Sequence, residues 1–292
     1  MSSLATAANL LKEQYLPLIK SRQTLLLVFT GVAGYLCQPP AFIEWWIFAS
    51  LVGSLLVTIS GCTVLNMLFD RDIDLRMERT RQRPLADGRL KGNIAAWLGG
   101  GLLLFGLLWA ALLSIPYFFV VLMGACLNVL IYTVWLKRRS AWSILWGGVA
   151  GGMPILAGHV LAIGQLDLLG LLLALVIVFW IPSHNLTLSL LYSADYRQAG
   201  VPTVLGTYGE VITYFVITLS SILVPFTFML VFILIGLQAY FLGLFLFLGL
   251  LLVTLAIISW VRSSRKFLLA LYKYSSLFLL ISTILLVYSG LR

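Results

Sequence analysis

Long apolar stretches alternate with short polar segments along the whole chain, and this pattern predicts helices that cross a membrane. At 1.5 Å per residue, an apolar helix of about 20 residues spans a hydrocarbon layer of about 30 Å. The predicted spans are 23–38, 43–69, 94–114, 117–136, 142–163, 168–191, 211–236, 239–261 and 267–290. We therefore expect an all-α, polytopic membrane protein with about nine helices in a bundle.

The composition agrees with this class, since 61% of the 292 residues are hydrophobic and only 10% are charged. The apolar stretches are continuous rather than alternating, which argues against a transmembrane β-barrel. No stretch is long enough for a separate soluble domain, so residues 1–292 are expected to form one membrane domain. An acid-tipped helix followed by a basic loop with Gly and Pro occurs twice, which predicts two loosely repeated parts, about 15–140 and 141–292.

Positive charge is confined to alternate loops. Of the 19 Lys and Arg residues, 17 lie before the first span or after an even-numbered span; Lys273 lies near the start of the ninth span and Arg292 at the C-terminal end. By the positive-inside rule, the N-terminus is expected to be cytoplasmic, in a bacterial or archaeal cell membrane or the mitochondrial inner membrane. The formal net charge of +9 is then largely a topology signal, and nucleic acid is not an expected partner.

The first polar cluster, 66-NMLFDRDIDLRMERTRQRPLADGR-89, closes the second span. Asn66, Asp70 and Asp74 recur at i, i+4 and i+8, so a helix places them on one face. Their oxygen atoms, with no His or Cys nearby, suit a hard cation such as Mg²⁺, with Mn²⁺ as the alternative. Mg²⁺ usually takes one or two carboxylates together with substrate phosphate oxygens. The cluster therefore predicts a metal–diphosphate site at the cytoplasmic edge.

Basic residues downstream can bind such a diphosphate directly. Arg79 and Arg83 present guanidinium groups, which form bidentate pairs with phosphate oxygens. An ordinary basic loop explains these arginines equally well, but it does not explain polar residues at the end of an apolar run, where they are costly and usually functional. A further basic group, 131-IYTVWLKRRS-140, follows the fourth span. Its Lys137 and Arg138 are either topology signals or further phosphate contacts.

The second polar cluster is 180-WIPSHNLTLSLLYSADYRQAGVPTVLGTYGE-210. Its Pro, Ser, His and Asn residues are expected to interrupt the sixth span, and Asp195 with Arg197 follows where that span leaves the membrane. Two acidic helix tips that face each other can hold a diphosphate between metals. His184 has two open interpretations: a structural histidine bonded to a backbone carbonyl, or a contact for a second substrate. Trp180 is expected to have a packing role within the helix bundle.

Taken together, the motifs resemble the UbiA superfamily of intramembrane prenyltransferases. Asn66, Asp70 and Asp74, followed by 79-RTRQRPL-85, are similar to its first aspartate-rich motif. Four further segments are similar to the protoheme IX farnesyltransferase branch: 132-YTVWLKRRS-140, 147-GGVAGGMPILAG-158, Trp180 with His184, and 195-DYRQAGVP-202. The chain departs from the superfamily at Leu191, four residues before Asp195, where many members carry a second acid. It departs from the branch at Ser183.

The resemblance implies a nine-helix bundle with a central cavity, and transfer of a farnesyl group from farnesyl diphosphate to a vinyl group of haem B, giving haem O. Mg²⁺ is then expected on Asn66, Asp70 and Asp74, with Asp195 as the remaining acid of the second motif. Asp70, Asp74 and Asp195 are the expected catalytic residues. The expected substrate contacts are Arg79, Arg83, Lys137, Arg138, His184, Tyr196 and Arg197. The implied partners are the lipid bilayer and haem A synthase or the terminal oxidase assembly.

Two rival functions stay open from the sequence. One is a prenyltransferase on the same scaffold whose acceptor is a quinone, a chlorophyll-type precursor or a lipid. The other is a secondary transporter with interrupted helices. Transporters place their polar residues near the bilayer midplane, whereas both clusters here lie at the edge of a predicted span. This position favours prenyl transfer.

Overall fold

The structure is a computed structural model, and it describes residues 17–292. The predicted start of the domain near residue 15 lies outside this range. The described residues form helices and no strands. The helices are α1 Ser21–Cys37, α2 Trp45–Phe69, α3 Arg71–Arg76, α4 Gly92–Leu113, α5 Ile115–Cys126 with a π-helical continuation Leu127–Leu136, α6 Ser143–Ile163, α7 Leu168–Leu191, α8 Ser193–Ala199, α9 Val204–Leu234, α10 Ala239–Arg262 and α11 Arg265–Gly290.

Eight helices are long and apolar enough to cross a membrane: α2, α4, α5 with its continuation, α6, α7, α9, α10 and α11. The shorter α1, with 17 residues, coincides with the first predicted span. Within residues 17–292, a helix therefore lies at each predicted span, and the all-α membrane architecture is confirmed. The short helices α3 and α8 each follow a long one and are too short to cross a bilayer.

Two details differ from the predicted spans. Helix α7 runs unbroken through Pro182, although an interruption was expected there. Helix α9 begins at Val204 rather than near residue 211, and Gly209 divides it with a φ of 81°. A glycine adopts positive φ without steric cost, so it permits this break. The first turn of α9 is thereby set at an angle to the spanning part.

The buried core forms two main clusters. One contains Phe228, Phe232, Phe245 and Phe278 from the last three helices, with aliphatic residues of α7. The other is built from α1, α2, α5 and α6 around Tyr35 and Tyr117. Helix α6 contributes to both clusters and holds them together. The two-part organisation of the chain stays a prediction.

Helices α1 and α6 pack with their backbones in contact. A Cβ atom added to Gly34 would overlap the carbonyl oxygen of Ile155, and one added to Gly158 would overlap that of Gly31. Only glycine permits this approach. It fixes α1, and with it the residues at the start of α1, against the centre of the bundle.

Candidate active site

A cavity of about 290 Å³ opens at one end of the bundle. Four parts of the chain contribute to its wall: the start of α1, the α2–α3 junction with the loop after it, the end of α5 with the start of α6, and the segment from α7 to α9. The lining residues are Lys20, Gln23, Thr63, Asn66, Asp70, Ile73, Asp74, Met77, Arg79, Thr80, Arg83, Asn128, Tyr132, Lys137, Ala141, Ser143, Ile144, Asn185, Leu186, Ser189, Tyr196, Val201, Pro202, Thr203 and Val204.

The residues of the first motif line this cavity together. Asp70 joins α2 to α3, and its φ of −91° and ψ of 0° mark a local change of direction. The helical hydrogen bonds nevertheless continue across it, since Asp70 N–H donates to Asn66 O at 3.0 Å and Asp74 N–H donates to Asp70 O at 2.8 Å. The i, i+4, i+8 spacing therefore still places the three side chains on one helical face across the junction. Asp70 and Asp74 are only 2% and 4% exposed.

Each residue of the motif contacts a basic side chain from a different segment. Arg83 donates to both oxygens of Asp74, at 2.9 and 2.7 Å. Lys137 Nζ lies 2.5 Å from Asp70 Oδ2, and Lys20 Nζ lies 2.7 Å from Asn66 Oδ1. Buried carboxylates are stable only when paired. The basic residues thus allow this acidic face to exist inside the protein.

Lys20 was missed as a site residue in the sequence, where it carried no signal beyond its place before the first span. Its nitrogen contacts an amide oxygen and no carboxylate of the described residues. Burial, followed by the charges of Arg83 and Lys137, lowers the pKa of Lys20 to about 7. Burial and like charges disfavour the charged ammonium form, and the opposing charges of Asp70 and Asp74 are the smaller contributions.

The π-helical continuation of α5 forms the part of the wall that contacts Asn66. Asn66 Nδ2 donates to Thr133 Oγ1 at 2.8 Å, and that hydroxyl donates to the backbone oxygen of Asn128 at 2.7 Å. Lys137 N–H bonds to Tyr132 O, five residues earlier. π-Helical turns are frequent at functional sites. A polar Asn128 inside an apolar span was the available sequence signal for this wall.

The donor set at this face fits a hard divalent cation. Asp70 Oδ1 is buried and has no hydrogen-bond partner in the described residues. The neighbouring donors are carboxylate and amide oxygens, which Mg²⁺ prefers. Residues 17–292 contain no cluster of three or more His, Cys, Asp or Glu that would form a cage from protein ligands alone. A cation bound here would complete its coordination with substrate or water oxygens.

Of the other predicted site residues, Arg79 and Tyr196 line the cavity, whereas Asp195 and Arg197 do not. Arg79 also lies over the ring of Tyr192, with its guanidinium carbon 5.6 Å from the ring centroid. Tyr196 lies on α8, where successive residues are rotated by about 100°. Because Tyr196 faces the cavity, its two sequence neighbours are turned away from it.

Arg138 binds outside the cavity. It pairs with both oxygens of Asp72 at 2.7 and 2.6 Å and donates to the backbone oxygen of Phe69 at 2.6 Å. The hydrogen bonds from Arg138 lower the pKa of Asp72 to about 2. Both side chains are close to half exposed, at 43% and 48%. The pair ties the end of α5 to the α2–α3 junction.

His184 lies on α7, where it contacts α11, and it is not part of the cavity wall. Its ring stacks between Trp180 and Tyr272, with centroid distances of 4.4 and 4.3 Å. Its Nδ1 is 3.2 Å from Ser276 Oγ. Trp180 packs here and donates to Ser275 O at 2.9 Å. Of the second polar cluster, Asn185 and Ser189 reach the cavity instead.

Comparison with protein families matches residues 27–288 to the UbiA prenyltransferase family. The chain is 43% identical over 200 residues to a protoheme IX farnesyltransferase from Thermofilum pendens, an alignment that covers 67% of this chain and 69% of that protein. Two further relatives have the same name. The chain spans 64 to 69% of the lengths of these three proteins.

Two solved structures share the fold. A digeranylgeranylglyceryl phosphate synthase superposes with a TM-score of 0.79 at 19% identity, over 94% of this chain and 97% of the other. A UbiA homologue from Archaeoglobus fulgidus, bound to DMAPP and Mg²⁺, gives a TM-score of 0.69 at 15% identity, over 94% and 99% of the two chains. Identities this low establish the shared fold only.

Proposed function

The chain belongs to the UbiA prenyltransferase family, and we propose that it transfers a farnesyl group from farnesyl diphosphate to a vinyl group of haem B, giving haem O. The observation that carries this proposal is the buried Asn66–Asp70–Asp74 face, where each residue contacts one basic side chain and Asp70 Oδ1 has no hydrogen-bond partner among residues 17–292. Such a face suits a metal-bound diphosphate. The relatives named protoheme IX farnesyltransferase support haem as the acceptor.

In this proposal, Asn66, Asp70 and Asp74 hold Mg²⁺, and Mn²⁺ can replace it. The cation supplies Lewis-acid stabilisation of the negative charge that develops on the departing diphosphate. Arg79, Arg83 and Lys137 donate hydrogen bonds to the phosphate oxygens, and these charge-assisted bonds fix the leaving group in place. Preorganised donors of this kind are usually the largest catalytic contribution.

The prenyl tail has an apolar space next to the charged cavity. A smaller cavity of about 70 Å³ lies between α1, α2, α5 and α6, and Leu27, Leu55 and Ile59 are among its lining residues. Gln23, Thr63 and Asn128 line both cavities. The two spaces therefore adjoin, so that a substrate with a charged head and an apolar tail matches both of them. An apolar tail site also keeps water from the reactive carbon.

The reaction that this arrangement supports begins with cleavage of the C1–O bond, whose electron pair leaves with the diphosphate. The haem vinyl π electrons then form the new C–C bond to C1. Water adds to the resulting carbocation and loses a proton to solvent, which yields the hydroxyethylfarnesyl group. The chain's role is to hold the diphosphate at the charged wall and the tail in the apolar cavity, so that C1 lies between them.

The proposed acceptor contacts come from the second polar cluster. We place haem at His184, since no bond from the described residues engages its Nε2 and flat aromatic rings flank it on both sides. Tyr196 is the cavity-lining neighbour on α8. Asp195, Arg197 and Arg138 stay proposed contacts with weaker support, because none of them lines the cavity.

Orientation and partners are also part of the proposal. The alternation of basic and uncharged loops supports a cytoplasmic N-terminus, which places the charged cavity at the cytoplasmic side. Haem O is consumed by the assembly of haem-copper oxidases, so haem A synthase or the oxidase assembly machinery is the proposed protein partner.

The test is incubation of the purified protein in lipid vesicles with haem B, Mg²⁺ and prenyl diphosphates of several lengths, followed by mass analysis of the extracted haem. We expect a haem carrying one hydroxyethylfarnesyl group with the farnesyl donor. If the prenyl group appears on a quinone or a lipid instead, the acceptor is wrong. Uptake of a solute without any prenyl transfer overturns the enzymatic assignment.

A further inference from the structure

Three basic side chains hold the first motif, but only two of them face a carboxylate. Lys137 is paired with Asp70, and Arg83 is paired with Asp74. Lys20 instead donates to the neutral amide oxygen of Asn66. Among the described residues, its positive charge therefore has no matching negative charge in the site.

The surroundings make this an unfavourable place for an isolated cation. The Lys20 side chain is partly buried, and the like charges of Arg83 and Lys137 act on it more strongly than the opposite charges of Asp70 and Asp74. A buried charge is costly unless it is paired, and one amide oxygen replaces little of its hydration. An anion that enters the cavity supplies the missing partner. Lys20 lines the same cavity as Arg83 and Lys137, so one anion can contact all three.

We propose that Lys20 is a diphosphate-binding residue that rests on Asn66 until the diphosphate arrives, and then transfers its ammonium group from Asn66 Oδ1 to a phosphate oxygen. The inference rests on the proposed function, and it adds a residue outside the aspartate-rich motif. It also carries a consequence for binding order. Lys20 and a divalent cation compete for Asn66 Oδ1, so the cation binds well only together with the diphosphate.

Two substitutions separate the charge of Lys20 from its hydrogen bond. Lys20→Gln keeps an N–H donor for Asn66 and removes the charge, whereas Lys20→Met removes both. Lys266→Gln is the matched control, because Lys266 is exposed at the start of α11 and does not line the cavity. Thermal unfolding of each purified variant establishes that it is folded before binding is compared.

The experiment measures binding of inorganic pyrophosphate to the full chain by calorimetry in the presence of Mg²⁺. A hydrogen bond to a charged group contributes about 1.5–3 kcal/mol, so Lys20→Gln and Lys20→Met are expected to weaken binding by about 10- to 100-fold. Lys266→Gln is expected to bind as the unmodified protein does. Equal affinity of Lys20→Gln and the unmodified protein overturns the inference.

A second measurement needs no variant. Binding of Mn²⁺, followed by electron paramagnetic resonance, is expected to be at least about tenfold tighter with pyrophosphate present than without it. Equal Mn²⁺ affinity in both conditions contradicts the competition at Asn66. If the unmodified protein binds neither Mn²⁺ nor Mg²⁺–pyrophosphate, the proposed function itself fails, and the role of Lys20 fails with it. A loss confined to the Lys20 variants supports the role of Lys20.

Discussion

The α2–α3 segment and the α7–α8 segment look alike in the sequence but differ in the structure. In each, a long apolar helix ends near an aspartate, a short helix that carries an arginine follows, and a loop with Gly and Pro comes next. After α2, Asp70 and Asp74 are buried in the cavity wall, each with a basic partner. After α7, Asp195 is only partly buried and does not line the cavity.

What the α7–α8 segment gives the cavity is uncharged. Asn185 and Ser189 reach the wall from α7, and Tyr196 reaches it from α8. This difference indicates that the two polar clusters have different roles in the site. We propose that the first binds the charged head of a substrate, and that the second offers a neutral, partly aromatic wall to an acceptor. Substitutions in the two segments test this division, and the exposed Asp72–Arg138 pair outside the cavity has the smallest expected effect.

Asp70→Asn is expected to lower the rate of haem O formation by about 1000-fold or more, because it removes the negative charge that faces the metal. Asp195→Asn is expected to lower the same rate by less than about tenfold. Mass analysis of the haem product measures both rates. Asp72→Asn is the control, since Asp72 is partly exposed and pairs outside the cavity. Equal losses for Asp70→Asn and Asp195→Asn contradict the division of work.

Lys137→Met is expected to lower kcat/KM for the prenyl diphosphate by about 10- to 100-fold, because it removes one charge-assisted phosphate contact. Arg138→Gln changes a neighbouring basic residue whose partner, Asp72, lies outside the cavity. For Arg138→Gln we expect a change of less than about threefold. Steady-state kinetics at varied prenyl diphosphate concentration measure both values. A larger loss for Arg138→Gln would reverse the assignment of the two residues.

His184→Gln is expected to weaken haem B binding by about tenfold and to leave pyrophosphate binding unchanged, because His184 lies apart from the charged wall. Loss of the aromatic stacking with Trp180 and Tyr272 contributes to the effect. Absorbance titration with haem and calorimetry with pyrophosphate measure the two affinities separately. Ser275→Ala, next to the same ring, serves as the packing control. Parallel loss of both affinities shows that His184 supports the whole bundle.

The Asp72–Arg138 pair is expected to have the smallest effect, and on stability alone. The pKa of Asp72 is lowered from 3.8 to about 2 in the folded protein, so its contribution is complete above pH 3.8 and is lost as the pH falls through about 2. A pair this exposed contributes at most about 1 kcal/mol. Thermal unfolding of Asp72→Asn should show a slightly lower Tm at pH 7 and a smaller difference at about pH 2. An unchanged Tm at pH 7 would show that the pair does not stabilise the folded protein.

Much of this picture could be predicted from the sequence, because the relevant signals are local. Apolar length gives the helices, and the spacing of Asn66, Asp70 and Asp74 survives the junction at Asp70 since the backbone bonds continue through it. Lys20 could not be predicted, because its role depends on the approach of α1 to α2. The pairing of Arg138 with Asp72 rather than with the cavity also depends on tertiary packing. So does the stacking of His184 against Tyr272, 88 positions along the chain.

The proposal that the α2–α3 segment binds the charged head is tested most directly by determining where a divalent cation binds. Crystals of the protein grown with Mn²⁺ and inorganic pyrophosphate give an anomalous signal that marks the cation position. The peak is expected within coordination distance of Asp70 Oδ1, with pyrophosphate between it and Arg83, Lys137 and Lys20. A peak at Asp195 with none at Asp70 would contradict the assignment of the charged head to the α2–α3 segment.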